Sequence, residues 1–211
     1  MPCLSRPPGA VMRTERLQAL CDGVFAVALT LLVLGLPAPH DSQNLGHDLL
    51  THWPAYAAYV VTFVTVGIVW VNHHALLDRV AQASRAFLEL NLLLLLFVGA
   101  MPWPTGLLAG YAGDPAQARV ASIVYGLVML MLSGTFAAIW IYLLRRDELA
   151  HPTARPALSR AARRSLVGPA VYALGIAAAI LNPAVAFALF AAAAAYFAAS
   201  GRSPAAARTV S

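Results

Sequence analysis

Three ionisable residues within apolar stretches could move protons or bind a metal ion. Asp22 lies in the first apolar stretch, and His73 and His74 lie near the end of the second. Carboxylates and imidazoles inside a membrane are typical of proton relays, so a proton-coupled secondary transporter is one candidate function. His74 and Asp78 share a helical face, as two metal ligands would, but a zinc site needs three or four ligands. No further residue has a matching spacing, and we predict no metal site.

The sequence lacks the motifs of common enzyme classes. It has no nucleophilic serine elbow, no Cys/His pair with a third member and no phosphate-binding loop. The two cysteines, Cys3 and Cys21, are too few for a disulfide framework, and we expect Cys21 to be a small packing residue. We therefore predict that the protein is not an enzyme and carries no cofactor.

A stripe in the first apolar stretch indicates another chemistry, the passage of ions. Val27, Thr30, Leu31 and Leu34 lie on one face of a helix. Lipid tails are as apolar as leucine, so burying this stripe in lipid gains little free energy. Copies of the helix around an axis would instead form stacked apolar rings and one hydroxyl ring. In the alternative, the Thr30 hydroxyl only bonds the carbonyl of Ala26, four residues back.

The composition identifies an integral membrane protein. Charged residues are 11% of the chain, against about 25% in ordinary soluble proteins, and the mean hydropathy is +0.71. The net charge of +5 could indicate a nucleic-acid partner. A basic balance in a membrane protein is more simply explained by the rule that loops rich in arginine stay in the cytoplasm. We therefore predict that the protein is embedded in a lipid bilayer and has no nucleic-acid partner.

Apolar runs and their flanking residues predict an all-α protein with six transmembrane helices. Residues 15–200 form this unit, between a disordered cytoplasmic tail at 1–14 and a cytoplasmic tail at 201–211. Pro102-Trp103-Pro104 is expected to end the third span, with a glycine-rich connection over 107–114 and a longer loop after the fourth span. The expected spans are residues 15–36, 53–77, 86–101, 118–144, 166–181 and 183–199.

The arginines predict the orientation of these spans. All 14 basic residues are arginines, and all of them except Arg119 lie at or before the start of the first span, in the second or fourth connection, or after the sixth span. Both termini are therefore expected in the cytoplasm of a multi-pass protein of the cell membrane, and the bias toward arginine and alanine indicates a bacterial source.

The same orientation brings polar residues that are distant in sequence to one membrane depth. Buried or paired side chains there would fix the tilt of the first helix; the alternative is ordinary snorkelling and capping at the interface. The residues are Arg16, Asp22, Asn72, His73, His74, Glu89 and Asn91.

Three motifs resemble the transmembrane protein 175 family of endolysosomal potassium channels and its bacterial relatives. The family begins with Arg, three residues and Phe-Ser-Asp; here Arg16 is followed by three residues and Leu20-Cys21-Asp22, so two positions differ. Agreement resumes at Gly23-Val24-Phe25-Ala26 and Thr30-Leu31-Leu32-Val33-Leu34. Residues 67–74 and 90–105 carry the other two motifs. The resemblance covers about the first half of the chain.

The resemblance implies a potassium-preferring cation channel in which helix 1 of four copies lines a central pore. It implies a gate of apolar rings at Val27, Leu31 and Leu34, and a selectivity role for Thr30, in a channel that conducts K⁺ and other monovalent cations. Trp70 joins the polar residues that position helix 1. The chain has no carbonyl-loop filter of the Thr-Val-Gly-Tyr-Gly type. The alternative remains a proton-coupled transporter that uses Asp22, His73 and His74, although no internal repeat is visible.

Overall fold

The computed structural model describes residues 14–38 and 44–200, which form nine α-helices. These residues contain no β-strand, although an isolated bridge pairs Val80 with Ala150. The predicted all-α fold is confirmed. The helices are α1 (Thr14–Leu31), α2 (Leu45–Thr51), α3 (Trp53–Leu77), α4 (Arg85–Ala100), α5 (Pro102–Tyr111), α6 (Pro115–Arg145), α7 (Arg155–Ser165), α8 (Val167–Leu181) and α9 (Pro183–Ser200).

Five segments are long and apolar enough to cross a membrane, and Pro183–Ala199 is a shorter apolar helix beside them. The prediction of an integral membrane protein built from apolar helices is confirmed. The sixth predicted span corresponds to this shorter helix. The five segments are Thr14–Gly35, Trp53–Leu77, Arg85–Tyr111, Pro115–Arg145 and Pro152–Leu181. The predicted tails lie outside the described residues, except for Thr14, which begins α1.

Two predicted connections contain helices. α4 ends just before the predicted proline break, but α5 begins at once at Pro102 and runs to Tyr111, so the glycine-rich connection predicted over 107–114 is wrong for residues 107–111. A proline fits the first turn of a helix because the amide hydrogen that it lacks has no acceptor there. The longer loop after the fourth span contains α7, an amphipathic helix whose buried residues are Leu158 and Ala162.

Backbone hydrogen bonds join the connection between α3 and α4 to the connection between α6 and α7, at the arginine-rich end of the bundle. The amides of Ala81 and Gln82 both donate to the Leu149 carbonyl, and the His151 amide donates to the Arg79 carbonyl. Near them, the Ser84 hydroxyl caps α4 by accepting from the Phe87 amide and lies 2.9 Å from the Tyr142 hydroxyl. The end of α3, the start of α4 and the end of α6 are therefore held together.

Glycines allow close packing of α6, α8 and α9. A Cβ atom on Gly175 would lie 2.3 Å from Phe190 Cε1, and one on Gly126 would lie 2.6 Å from Ile176 Cγ1. Phe190 is buried, and its ring centroid is 5.2 Å from that of Tyr125. These glycines occur where larger side chains would collide with a filled core.

Candidate functional site

The first helix, α1, has one buried face and one exposed face. The buried residues recur every three or four positions and are Leu17, Cys21, Phe25, Ala28 and Leu32, the last in the 3-10 turn that continues the helix. After the charged Glu15 and Arg16, the exposed residues are mostly small or apolar: Ala19, Leu20, Gly23, Ala26, Val27, Thr30 and Leu31. Since the helix repeats every 3.6 residues, the two sets form opposite stripes. The buried stripe packs against α3 and α4, and the exposed stripe is left uncovered by the described residues of the chain.

The three residues predicted to form a gate all lie on the exposed face. Val27 is 56% exposed, Leu31 41% and Leu34 76%. Leu34 belongs to the 3-10 turn Leu32–Gly35, so the stripe continues past the end of α1. A single chain therefore presents these apolar side chains outward, where a second copy or another partner could meet them.

Thr30 lies on the same exposed face and bonds its own backbone. Its Oγ1 donates a 2.8 Å hydrogen bond to the carbonyl oxygen of Val27, three residues back, and not to the Ala26 carbonyl that the sequence suggested as the alternative. With the hydroxyl hydrogen directed at the backbone, the oxygen keeps lone pairs that can accept from water or bind a cation. The backbone bond is thus compatible with a role at the exposed face.

Two polar contacts connect α1 to α3. Trp70 Nε1 donates to Asp22 Oδ1 at 2.8 Å, and Gln18 Nε2 donates to His74 Nδ1 at 3.1 Å. The two residues contributed by each helix are four positions apart, one turn of helix, and the helices run antiparallel, so the contacts form two successive rungs. The Trp70 and His74 rings lie next to each other, with centroids 6.2 Å apart.

A third polar contact lies deeper, between α3 and α4. His73 Nε2 donates to Asn91 Oδ1 at 2.8 Å, and Asn91 Nδ2 donates to the Phe87 carbonyl at 2.7 Å. Both His73 and Asn91 are buried, and the Phe25 ring of α1 lies 5.7 Å from the imidazole. The amide of Asn91 uses its oxygen and its nitrogen, which makes this a satisfied polar pair behind the buried face of α1.

Three of the predicted polar residues do not join these contacts. Arg16 is exposed and forms no ion pair with a carboxylate of the described residues. Asn72 donates back to the Ile68 carbonyl at 2.9 Å, and Glu89 pairs with Arg85 on the surface of α4. The remaining four, Asp22, His73, His74 and Asn91, are brought to the contacts around α1 and α3, together with Trp70.

One contributing residue, Gln18, was missed in the sequence. Its signal is the spacing: Gln18 precedes Asp22 by four residues, as Trp70 precedes His74, so two antiparallel helices can match both pairs. Among the described residues, no group of three or more His, Cys, Asp or Glu side chains is placed to hold a metal ion. The polar contacts join one helix to another and do not enclose a ligand site.

Known channel sequences align with the same helices. The profile of the family described as "Endosomal/lysosomal potassium channel TMEM175" matches residues 16–102, which run from α1 to the start of α5. A protein from Streptomyces collinus named a potassium channel is 42% identical over 170 residues, covering 79% of this chain and 82% of that protein. The chain belongs to the TMEM175 family. Its members are ion channels and not enzymes, as the sequence predicted.

Solved TMEM175 structures share the fold. A crystal structure described as a lysosomal potassium-selective channel TMEM175 homolog from Chamaesiphon minutus has a TM-score of 0.82 and 34% identity, and the match covers 90% of this chain and 98% of that one. A protein from Gallus gallus named "Endosomal/lysosomal proton channel TMEM175" is 34% identical over 153 residues, which is 67% of this chain but only 30% of that protein. The predicted family and fold class are confirmed.

Proposed function

We propose that the protein is a potassium-preferring cation channel, and that the exposed face of α1 lines its pore in a homotetramer. The observation that carries the proposal is the exposed stripe of α1, which begins with small residues, continues through Val27, Thr30 and Leu31 and contains one hydroxyl group. Small residues allow helices to approach closely in membranes, and exposed leucines gain little from lipid alone. Four copies of this face around an axis would cover it.

The proposed gate consists of the apolar rings of Val27, Leu31 and Leu34. A narrow apolar throat excludes water, and a hydrated cation cannot pass until the throat widens or becomes wet. Valine is smaller than leucine, so the ring at Val27 would be the wider one. The rings at Leu31 and Leu34 would then provide the tighter barrier.

Selectivity is proposed to depend on the hydroxyl oxygen of Thr30. Its hydrogen bond to the Val27 carbonyl orients the oxygen lone pairs away from the backbone. A ring of four such oxygens would replace part of the hydration shell of a dehydrating cation, which is the task of backbone carbonyls in channels with a filter loop. The sequence contains no such loop.

The polar contacts of α1 are proposed to fix its tilt, and with it the radius of the pore. Asp22 and Gln18 each bond a residue of α3, and the His73–Asn91 pair packs behind Phe25. Hydrogen bonds between membrane helices contribute on average about 0.6 kcal/mol and at most about 1.7 kcal/mol each. The two bonds to α1, with the His73–Asn91 pair packed behind Phe25, would hold α1 against small rotations without making it immobile.

The names of relatives support potassium as the permeant ion. The Streptomyces protein is named a potassium channel and is similar to this chain over most of its length. The arginine distribution supports a cell-membrane protein with both termini in the cytoplasm. Proton conduction is a second candidate, because the Gallus gallus relative is named a proton channel and Asp22 and His74 are titratable groups at the α1–α3 contact.

The test is unitary current from purified protein in liposomes under a potassium/sodium gradient. Leu31→Ser should wet the throat and raise the current, whereas Leu189→Ser, at a residue of similar exposure on α9, should leave it unchanged. Thr30→Val should move the reversal potential toward zero because the hydroxyl ring is lost.

Three results would contradict the proposal. They are a lower current in Leu31→Ser, an unmoved reversal potential in Thr30→Val, and an active protein that light scattering shows to be a monomer. A reversal potential that follows the proton gradient would support proton conduction instead.

A further inference from the structure

A cavity of about 430 Å³ lies on the other side of α3 from the exposed face of α1. It is lined by residues of α3, α6, α7, α8 and α9, so it is separate from the proposed pore. Its volume falls within the range of about 300–1,000 Å³ that is typical of small-molecule sites. Its interior is mainly apolar, with walls that include Leu132, Phe136 and Phe197.

Three arginines line the cavity together with these apolar side chains. Arg79 lies two residues after the end of α3, and Arg160 and Arg164 come from α7. On α7 the lining residues Ala157, Arg160, Ala161 and Arg164 follow one helical face, while Leu158 and Ala162 anchor the helix to the protein. Arg160 and Arg164 are exposed, so they lie at the mouth of the cavity.

Arg79 is held at the boundary between the arginines and the apolar wall. Its guanidinium donates to the Ala75 carbonyl and lies over the Trp140 ring, 5.7 Å from the centroid. Such a cation–aromatic contact fixes the position of the charge. Arg160 forms no ion pair with a carboxylate in the described part of the chain. The cavity therefore has excess positive charge at one end and apolar surface along the rest.

We infer that this cavity binds an anionic phospholipid, with the phosphate at the arginines and one acyl chain along the apolar wall. The ligand must be both anionic and apolar to match both parts of the cavity. Basic pockets between membrane helices at the arginine-rich face are general sites for anionic lipid headgroups. α7 carries four arginines and is amphipathic, as helices that lie among lipid headgroups are.

The test is native mass spectrometry of the detergent-purified full-length protein, titrated with phosphatidylglycerol or with phosphatidylcholine of the same acyl chains. Glycerol 3-phosphate serves as the chain-free competitor. We expect phosphatidylglycerol to bind more tightly than phosphatidylcholine. Arg160→Gln should weaken phosphatidylglycerol binding about fivefold, the effect of one arginine near an anionic lipid. Arg163→Gln is the matched control, because Arg163 is exposed on the same helix but does not line the cavity.

A variant whose side chain fills the cavity tests whether the acyl chain lies there. Ala161→Phe should abolish phosphatidylglycerol binding by occupying the space. If the Ala161→Phe protein does not fold, Arg160→Gln still tests the inference. Equal binding of the two lipids would overturn the inference, as would an equal loss in Arg160→Gln and Arg163→Gln. Full competition by glycerol 3-phosphate, or binding unaffected by a folded Ala161→Phe protein, would also overturn it.

Discussion

The exposed face of α1 and the α6–α8–α9 region use glycine in opposite ways. A Cβ atom on Gly23 of α1 would meet nothing within 4 Å, whereas one on Gly175 of α8 would overlap the buried ring of Phe190. The side chain of Phe190, from the same chain, fills the space beside Gly175. The space beside Gly23 is empty in the single chain, as it would be on a face that meets a second copy in the proposed tetramer.

The two regions also differ in their polar groups. In the α6–α8–α9 region, Tyr125 and Phe190 pack ring against ring, and the Tyr125 hydroxyl lies 3.2 Å from the Thr62 hydroxyl of α3. Around α1, side-chain hydrogen bonds hold one face in place, while the opposite face forms no side-chain hydrogen bond to the described residues beyond the backbone bond of Thr30. Helices α6, α8 and α9 are therefore packed against one another by apolar side chains. By contrast, α1 is joined to α3 by polar contacts, and its other face is not covered by the described residues.

Gly175→Ala should give the largest loss of stability. The added methyl group must displace a fully buried ring, and overpacking of this kind costs about 1–3 kcal/mol. Thermal unfolding of the detergent-purified protein, followed by tryptophan fluorescence, should show a clear drop in melting temperature. Gly23→Ala is the control and should leave the melting temperature unchanged.

Adding Phe190→Leu to Gly175→Ala sharpens this prediction. The smaller side chain should make room for the methyl group, so the double variant should recover part of the stability. A Gly175→Ala protein as stable as wild type would show that α8 and α9 do not pack as closely as the structure indicates.

His73→Leu should have an intermediate effect. It removes the donor to the buried Asn91 Oδ1, and a hydrogen bond between membrane helices contributes at most about 1.7 kcal/mol, which is below the upper range for overpacking. A double-mutant cycle with Asn91→Leu should give a coupling of about 0.6–1.7 kcal/mol. Asn72→Leu is the matched control, because Asn72 is exposed and bonds only its own helix. A coupling near zero would remove the His73–Asn91 contact from the set that positions α1.

Arg16→Ala should have the smallest effect. The guanidinium is exposed and forms no ion pair with a described carboxylate, so its removal should change the free energy of unfolding by about 0.5 kcal/mol or less. Chemical or thermal unfolding, compared with wild type in the same detergent, measures this. A loss as large as that of Gly175→Ala would mean that Arg16 has a buried partner in the assembled protein.

Much of this protein is determined by local sequence. Long apolar runs without charge predict membrane helices, and the period of Val27, Thr30, Leu31 and Leu34 predicts their common face, because helical geometry depends only on spacing. The structure confirms the all-α fold and places these residues on one exposed stripe. The family motifs lie in the same first half of the chain.

Only the tertiary structure decides which polar residues meet. Gln18 and His74 are 56 positions apart, and nothing local indicates their contact until α1 and α3 are packed antiparallel in register. The same holds for Arg16, whose environment depends on neighbours that the sequence does not place. The helix at Pro102–Tyr111 and the cavity beside α7 also arise from how elements pack, since proline signals and arginine runs are equally compatible with loops.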